Sequence, residues 1–199
     1  MSFSTLGLHT DLLAVLDTLG YQTPTPIQKA AIPEVLAGHD VMAGAQTGTG
    51  KTAAFALPLI QRHLVREISE KAIRVLVLTP TRELAQQVHK SFVKYSQGSG
   101  LNSVVAYGGA SINPQIDELN KGCDVLVATP GRLLELAFKE LIDLSTVETL
   151  VLDEADRMLD MGFIVDIERI LKRLPETRQT LFFSATFNDE VFALSKTIL

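Results

Sequence analysis

The chain has 199 residues, a length that suits one domain and is short for two. A chain of this size buries about 70% of its unfolded surface and needs no metal or disulfide staple to hold a core. Hydrophobic residues make up 46% and charged residues 21%, which argues against disorder. The net charge of −5 excludes a basic, charge-driven nucleic-acid coat protein but not a site that grips phosphates locally. Cys123 is the one cysteine, so an internal disulfide and a Cys-rich zinc site are excluded and a reducing compartment is expected.

The first residues, Met1-Ser2-Phe3-Ser4-Thr5-Leu6, carry no basic stretch and no long apolar run, unlike a signal peptide. Apolar runs elsewhere, such as Val75–Leu78 and Leu181–Phe183, are too short to span a bilayer. A cytoplasmic, membrane-free protein is the expectation. Thr10 is placed to cap a helix that turns Leu12, Leu13, Leu16 and Leu19 inward and ends at Gly20. Tyr21-Gln22-Thr23-Pro24-Thr25-Pro26 reads as a stiff turn, and Pro26 can open a second helix reaching about Ala37. Residues 1–38 thus form a helical preface to the segment 39–199, within one domain.

Short apolar runs then alternate with helical patterns. The runs are Val41–Ala45, Ile73–Thr79, Ser103–Tyr107, Asp124–Ala128, Thr149–Leu152 and Thr180–Phe183. Several are apolar almost throughout, as parallel strands covered on both faces are. Thr81 can cap a helix over Arg82–Tyr95, where Leu84, Val88, Phe92 and Tyr95 recur at helical steps. Gly162–Leu174 carries Phe163, Ile167, Ile170 and Leu174 on one stripe. Strands separated by helices mean βαβ units and a parallel sheet. Ligands of such sheets bind where strands end and loops begin.

After the first run comes Ala45-Gln46-Thr47-Gly48-Thr49-Gly50-Lys51-Thr52. Glycines let a loop curl so that several backbone N–H groups face one phosphate, and the following helix adds its positive end. Lys51 can reach β- and γ-phosphates, and the Thr52 hydroxyl can ligate Mg²⁺. The strict pattern opens on glycine, whereas Ala45 stands here with Gly44 one place early. A glycine-rich turn that merely caps a helix is the plain alternative. Pro58 falls inside that helix and should kink it or leave a carbonyl unpaired near Ala54.

The fifth run is followed by Asp153-Glu154-Ala155-Asp156. A carboxylate at the tip of an apolar strand is where a P-loop protein holds Mg²⁺, which makes Asp153 the candidate, through water. Glu154 is the candidate to orient or deprotonate an attacking water. The alternative is an acidic helix start that offsets the helix dipole. Ser184-Ala185-Thr186 ends the last run; its hydroxyls can bond Asp156, or can cap the final helix.

These signals, in this order, resemble a DEAD-box RNA helicase, whose name-giving motif residues 153–156 spell. Gly20-Tyr21-Gln22-Thr23-Pro24-Thr25-Pro26-Ile27-Gln28 resembles the Q motif. Ala45–Thr52 resembles motif I, where alanine is the family's habit at the first position. Pro80-Thr81-Arg82-Glu83-Leu84-Ala85 resembles motif Ia, Gly108-Gly109 the double glycine and Thr129-Pro130-Gly131-Arg132 motif Ib. Asp153–Asp156 and Ser184–Thr186 resemble motifs II and III. The runs Gly109–Gln115 and Asp153–Phe163 look most like the bacterial RhlE-type branch.

The resemblance implies a RecA-like P-loop NTPase fold: a three-layer α/β/α sandwich with a parallel sheet, the Ser184–Thr186 strand lying between the Lys51 and Asp153 strands, and a helical N-terminal extension. It implies ATP and Mg as cofactors. Gln28 should read adenine with its amide, and Tyr21 should stack on the base; core packing is the plain reading of Tyr21 and of Phe3, an isolated aromatic upstream. Ala45, Gln46, Thr47, Gly48, Thr49, Gly50, Lys51 and Thr52 should cradle phosphate, with Lys51, Asp153 and Glu154 catalytic and Thr52 and Asp153 on the metal. Pro80, Thr81, Arg82, Gly108, Gly109, Thr129, Pro130, Gly131 and Arg132 should contact the RNA backbone without reading sequence. RNA would be preferred over DNA through its 2′-hydroxyls. Otherwise Arg82 and Arg132 only pair with acidic neighbours and the glycines only turn. Asp156, Ser184 and Thr186 should couple the two sites.

The family carries a second RecA-like domain with arginines that complete the ATP site. Arg169, Arg173 and Arg178 lie in the wrong part of the pattern to supply them. The chain therefore resembles the N-terminal half, and such a half should bind nucleotide yet lack an arginine finger that contributes about 10³–10⁵ in rate. Two rivals stand beside this reading. A different P-loop ATPase would bind ATP and GTP alike, and a non-catalytic scaffold would gain no hydrolysis from an added second half. His9, His39, His63 and His89 are scattered without ligand spacing, and Cys123 is expected as a small buried residue. The oligomeric state is not legible.

Overall fold

The computed structural model describes residues 2–66 and 70–199. Six strands form its sheet: β1 (Val41–Gly44), β2 (Val75–Leu78), β3 (Ser103–Ala106), β4 (Val125–Ala128), β5 (Thr149–Leu152) and β6 (Gln179–Ser184). All are parallel, in the order β1-β6-β5-β2-β4-β3. The four inner strands are buried at every residue, whereas β1 and β3 alternate, because an edge strand is covered less completely. The expected interposition of the last strand holds: β6 lies between β1 and β5, pairing Gly44 with Ser184 and Leu152 with Phe182.

The helices are α1 (Thr10–Thr18), α2 (Pro26–Leu36), α3 (Lys51–Leu64), α4 (Arg82–Tyr95), α5 (Ile112–Asn120), α6 (Pro130–Phe138), α7 (Ala155–Asp160), α8 (Ile164–Leu171) and α9 (Asp189–Ile198). They divide between the two faces. Val77, Val151, Leu181 and Phe183 turn to one face and share a core with Leu12, Leu16, Ile32, Phe55 and Phe92. Leu76, Leu78, Leu150 and Phe182 turn to the other and pack with Leu133, Ile167, Ile170 and Leu194. The two-residue alternation of strand side chains thus builds two cores from one sheet. Phe3 joins the first core, 5% exposed, so the preface is part of the same hydrophobic body. Among the described residues no helix is long and apolar enough to cross a membrane.

Several boundaries differ from expectation. Thr10 is not the cap but the first helical residue; His9 caps α1, its Nδ1 accepting from the Asp11 N–H at 3.1 Å. A neutral imidazole nitrogen offers the same lone pair as a hydroxyl, and the four preferred capping residues hide that option. Gly20 (φ 79) does end α1, in the left-handed region. The first and second runs are trimmed to Val41–Gly44 and Val75–Leu78, and Gly162–Leu174 to Ile164–Leu171, with left-handed Gly162 (φ 82) breaking it from α7. Thr81 caps α4 as expected, accepting from Leu84 N–H at 3.2 Å. α3 runs on through the buried Pro58.

Candidate nucleotide and RNA site

Every candidate loop lies at the same edge of the sheet, because all strands point one way and each loop follows a strand's C-terminal end. Sheet order then divides the candidates. The phosphate loop, the acids and the Ser184–Thr186 segment follow β1, β5 and β6, which are neighbours. The three candidate RNA loops follow β2, β4 and β3, also neighbours. One edge therefore carries two adjoining sites.

In the phosphate loop, Ala45 is 7% exposed and its N–H still donates to Ser184 O at 3.0 Å, so the loop starts from the sheet itself. Gln46, Thr47 and Gly48 are exposed, while Thr49, Gly50 and Thr52 are half-buried. Thr49 Oγ1 donates to Gln46 O at 2.7 Å and closes the turn. Gly48 (φ 85) and Gly50 (φ 80) take left-handed conformations on either side of Thr49. A side chain is barred at Gly50 for a second reason: its Cβ would stand 2.5 Å from Gln28 Nε2. The N-terminus of α3 follows directly, with its free N–H groups and positive dipole end.

Gln28, near the start of α2, is drawn into the protein. It is 6% exposed and stands at the third position of a capping box. Its Oε1 accepts from Thr25 N–H at 2.9 Å, and its Nε2 donates to Gly50 O at 3.1 Å. The amide retains one N–H and one lone pair without an intramolecular partner. The spacing Thr25-x-x-Gln28 is the sequence signal for that box. Tyr21 is held elsewhere, with its ring edge-on to Tyr95 at 6.0 Å and its hydroxyl accepting from Lys94 Nζ at 3.0 Å. The Lys94 hydrogen bond draws the Tyr21 hydroxyl below its ordinary value, and burial pushes that of Tyr95 up. Tyr21 remains 36% exposed, so neither core packing nor open solvent describes it.

Lys51 and Asp153 meet across β6. Lys51 Nζ lies 2.8 Å from Asp153 Oδ1, with the side chains 8% and 0% exposed. The contact has ion-pair distance but not hydrogen-bond alignment, and among the described residues Oδ2 has no partner either. Burial pushes the Asp153 carboxyl above the usual range, and the Lys51 charge opposes that shift. A buried carboxylate with an open lone-pair side fits a hard cation that prefers oxygen and keeps its water, and the half-buried Thr52 follows Lys51 in the chain. Among the described residues no three His, Cys, Asp or Glu side chains converge, so such an ion would draw its remaining ligands from water and phosphate.

Glu154 occupies a left-handed conformation (φ 54, ψ 54), which costs a non-glycine residue about 1–2 kcal/mol. It stands two residues past the end of β5 and is the N-cap of α7, without a side-chain cap bond. Thr186 Oγ1 donates to Asp156 Oδ2 at 3.0 Å, whereas Ser184 Oγ donates to Thr186 O at 2.7 Å. Asn188, not this segment, caps the final helix, its Oδ1 accepting from Val191 N–H at 3.0 Å. The hydroxyls thus tie β6 to the acidic turn.

On the other half, Pro80 is buried behind β2 and Arg82 is exposed, its guanidinium 4.9 Å from the centre of the Tyr107 ring. Gly108 and Gly109 (φ 79) are exposed with open space where a Cβ would stand. Thr129 is buried, Pro130 opens α6 as its first residue and Gly131 is exposed in the first turn. Arg132 departs from expectation. Its side chain is 9% exposed: Nη1 donates to Gln115 Oε1 at 2.9 Å and Nη2 to Ala110 O at 2.9 Å, while Nε stands 3.1 Å from Glu135 Oε2 at ion-pair distance without hydrogen-bond alignment. It shapes the neighbouring loop and presents little charge outward. Tyr107, Gln115, Lys94 and Tyr95 were not among the residues singled out as site candidates. Cys123 is a free, buried thiol pushed up to about 12 by burial, as its bland reading requires.

A parallel sheet with a left-handed glycine loop leading into a helix, and a buried acid two strands away, defines a RecA-like P-loop fold. A family model described as DEAD/DEAH box helicase matches residues 25–194, and the chain belongs to that family. It is 47% identical over 191 residues to the DEAD-box ATP-dependent RNA helicase CshA of Streptococcus pneumoniae, covering 96% of this chain and 36% of that protein. It is 47% identical over 196 residues to the ATP-dependent RNA helicase DeaD of Escherichia coli, covering 98% of this chain and 31% of that protein. The crystal structure of a DEAD box protein from the hyperthermophile Methanococcus jannaschii superimposes with a TM-score of 0.93 at 39% identity, over all of this chain and 54% of that one. The chain thus spans about a third of the length of these two helicases.

Proposed function

We propose that the chain is the nucleotide-binding half of an ATP-dependent RNA helicase. In this reading the loop Ala45–Thr52 holds the phosphates of ATP, Gln28 reads the adenine edge and Tyr21 stacks on the base. Lys51 exchanges its partner Asp153 for phosphate oxygens, which frees Asp153 and Thr52 to hold magnesium, directly or through water. Magnesium would supply charge neutralisation on the β- and γ-phosphates. Glu154, displayed by its left-handed backbone, orients the attacking water and takes its proton. The Thr186–Asp156 bond links this chemistry to β6. The exposed backbone at Gly108, Gly109 and Gly131, with Arg82, faces the sugar-phosphate chain of RNA and positions it without reading bases. A second RecA-like domain supplies the transition-state arginine and closes over both ligands, coupling hydrolysis to local duplex opening. The runs Gly109–Gln115 and Asp153–Phe163 favour a bacterial RhlE-type parent, working in the cytoplasm.

The observation that carries the proposal is the buried Asp153 carboxylate, half-paired with Lys51 behind an outward-facing glycine loop. Calorimetry with ADP, GDP and magnesium tests it. ADP should bind well above GDP, and Lys51→Ala should abolish most of the phosphate-dependent affinity. Equal binding of the two nucleotides, or an unchanged ADP affinity in Lys51→Ala, would overturn it.

A further inference from the structure

The candidate RNA loops are not three separate turns. One buried amide joins them, and it belongs to Gln115 on α5. Gln115 is 8% exposed and is the only residue of that helix to be buried. Its side chain pairs with both main-chain groups of Tyr107: Tyr107 N–H donates to Oε1 at 3.3 Å, and Nε2 donates to Tyr107 O at 3.1 Å. β3 is an edge strand, and Tyr107 is the residue just past its end. The amide therefore takes the place of a missing strand neighbour where the chain leaves the sheet.

The same Oε1 also accepts from Arg132 Nη1 at 2.9 Å, and Arg132 Nη2 donates to Ala110 O at 2.9 Å. The Tyr107 ring lies under the Arg82 guanidinium, and its hydroxyl accepts from Gln86 Nε2 at 3.0 Å. The loop is thus gripped at Tyr107 and again at Ala110, and only Gly108 and Gly109 stand free between the grips. Both are exposed with nothing where a Cβ would lie. A short span of bare backbone pinned at both ends is pre-organised for a ligand that approaches main-chain groups closely.

We propose that Gln115 is the positioning residue of the RNA-facing surface: through Tyr107 and Arg132 it sets the double-glycine backbone against the loops at Arg82 and Gly131, so that the three meet one sugar-phosphate chain in register. This rests on the RNA reading above and names the residue on which it turns. Gln115 itself touches no RNA. Its removal leaves the Tyr107 carbonyl, the Tyr107 N–H and Arg132 Nη1 without their partners, and the loop loses its preset shape. The nucleotide half of the edge, on β1, β6 and β5, shares none of these bonds.

The test compares wild type with Gln115→Leu and Gln115→Glu. Affinity for a short fluorescein-labelled oligouridylate is followed by anisotropy at low salt, and ADP affinity by calorimetry. Gln115→Leu should weaken RNA binding about tenfold or more, the scale of stranding buried hydrogen-bonding groups, and leave ADP affinity unchanged. Gln115→Glu keeps the acceptors for Tyr107 N–H and Arg132 but faces the Tyr107 carbonyl with an oxygen, so its loss should be intermediate and keeps the test alive if Gln115→Leu fails to fold. Amide hydrogen exchange at Gly109 and Ala110 should quicken in both variants. Unchanged RNA affinity in a folded variant, or equal losses for RNA and ADP, overturns the role of Gln115. A wild-type chain that does not bind the oligouridylate while binding ADP overturns the RNA surface and this inference together.

Discussion

Replacing Lys51 with methionine keeps the bulk of the side chain and removes its charge, leaving the Asp153 carboxylate buried without a counter-ion. The present pair sits at 2.8 Å. At an effective dielectric of about 20, that separation corresponds to about 6 kcal/mol of attraction. Part of this offsets the desolvation of the two ions, so the loss on breaking the pair should be about 3–5 kcal/mol. That is a large fraction of the about 5–15 kcal/mol that holds an ordinary domain folded. The carboxyl has one escape, to take up a proton. Burial already raises its affinity for one. A folded-state value above the unfolded one means stability is fully present below the unfolded carboxyl range and is lost as pH rises through the folded value. Lys51→Met should therefore unfold at lower urea near neutral pH than wild type, and the gap should narrow on acidification. Adding Asp153→Asn should recover more than half of the loss, since no charge then remains to bury. Urea titrations followed by circular dichroism at several pH values read all three. A Lys51→Met chain within about 1 kcal/mol of wild type near neutral pH, or a double variant no more stable than the single one, would show that the pair is not the buried ionic contact described here.

Glu154→Gly should be more stable than Glu154→Ala by about 1 kcal/mol in thermal unfolding, because only glycine takes φ 54 without strain; equal stabilities would refute strain at this turn. Lys94→Met should lower ADP affinity about two- to fivefold while leaving pyrophosphate binding unchanged, because Lys94 holds Tyr21 through its hydroxyl and the face of its ring. Parallel losses for both ligands would remove Tyr21 from the base site. Glu148 is held below the usual carboxylate range chiefly by Arg66, with Arg74 beside it. Its contribution is present above the unfolded value of about 4.3 and is lost as pH falls through the folded one, and partial exposure limits it to below about 1 kcal/mol. Glu148→Gln should therefore show a shallower acid slope in urea midpoints than wild type, and parallel slopes would refute the clamp.

Where one local rule decides, the fold was legible. Apolar runs without alternation announced inner strands, and β2, β4, β5 and β6 are buried throughout. Glycines at 48 and 50 announced left-handed turns, and both have positive φ. Reading failed where a side chain works through a distant partner. His9 caps through a nitrogen lone pair, which four-letter capping rules omit. Gln28 is bonded to Gly50, far along the chain, and no local pattern announces that contact. Arg132 looked like a phosphate grip, yet two of its donors go to Gln115 and Ala110 and its Nε stands beside Glu135 at ion-pair distance, a pairing that exists only once α5 and α6 come together. The resemblance supplied which strand lies between β1 and β5; no run of residues within the chain states it.

Among the described residues two non-glycine residues take positive φ, Glu140 (φ 55) just after α6 and Glu154 (φ 54) between β5 and α7, and the second has a physical reason. Asp153 is anchored by its N–H to Leu78 O at 3.0 Å, and Asp156 is anchored by the Thr186 hydroxyl at 3.0 Å. Glu154 lies between those anchors, and only a sharp reversal of the backbone connects β5 to α7 in so few residues. The left-handed residue is thus forced from both sides and need not be glycine. Its unfavourable backbone energy is outweighed by bonds made to β2 and to the segment after β6, the two elements that flank the acid's own strand. Any shift of β6 relative to β5 moves the Thr186 anchor and changes the strain at Glu154 directly. The side chain proposed to handle water is therefore set by sheet neighbours rather than by its own neighbours in sequence. In the proposed exchange, a nucleotide that draws Lys51 from Asp153 would act on one of those anchored residues, a single peptide unit from Glu154.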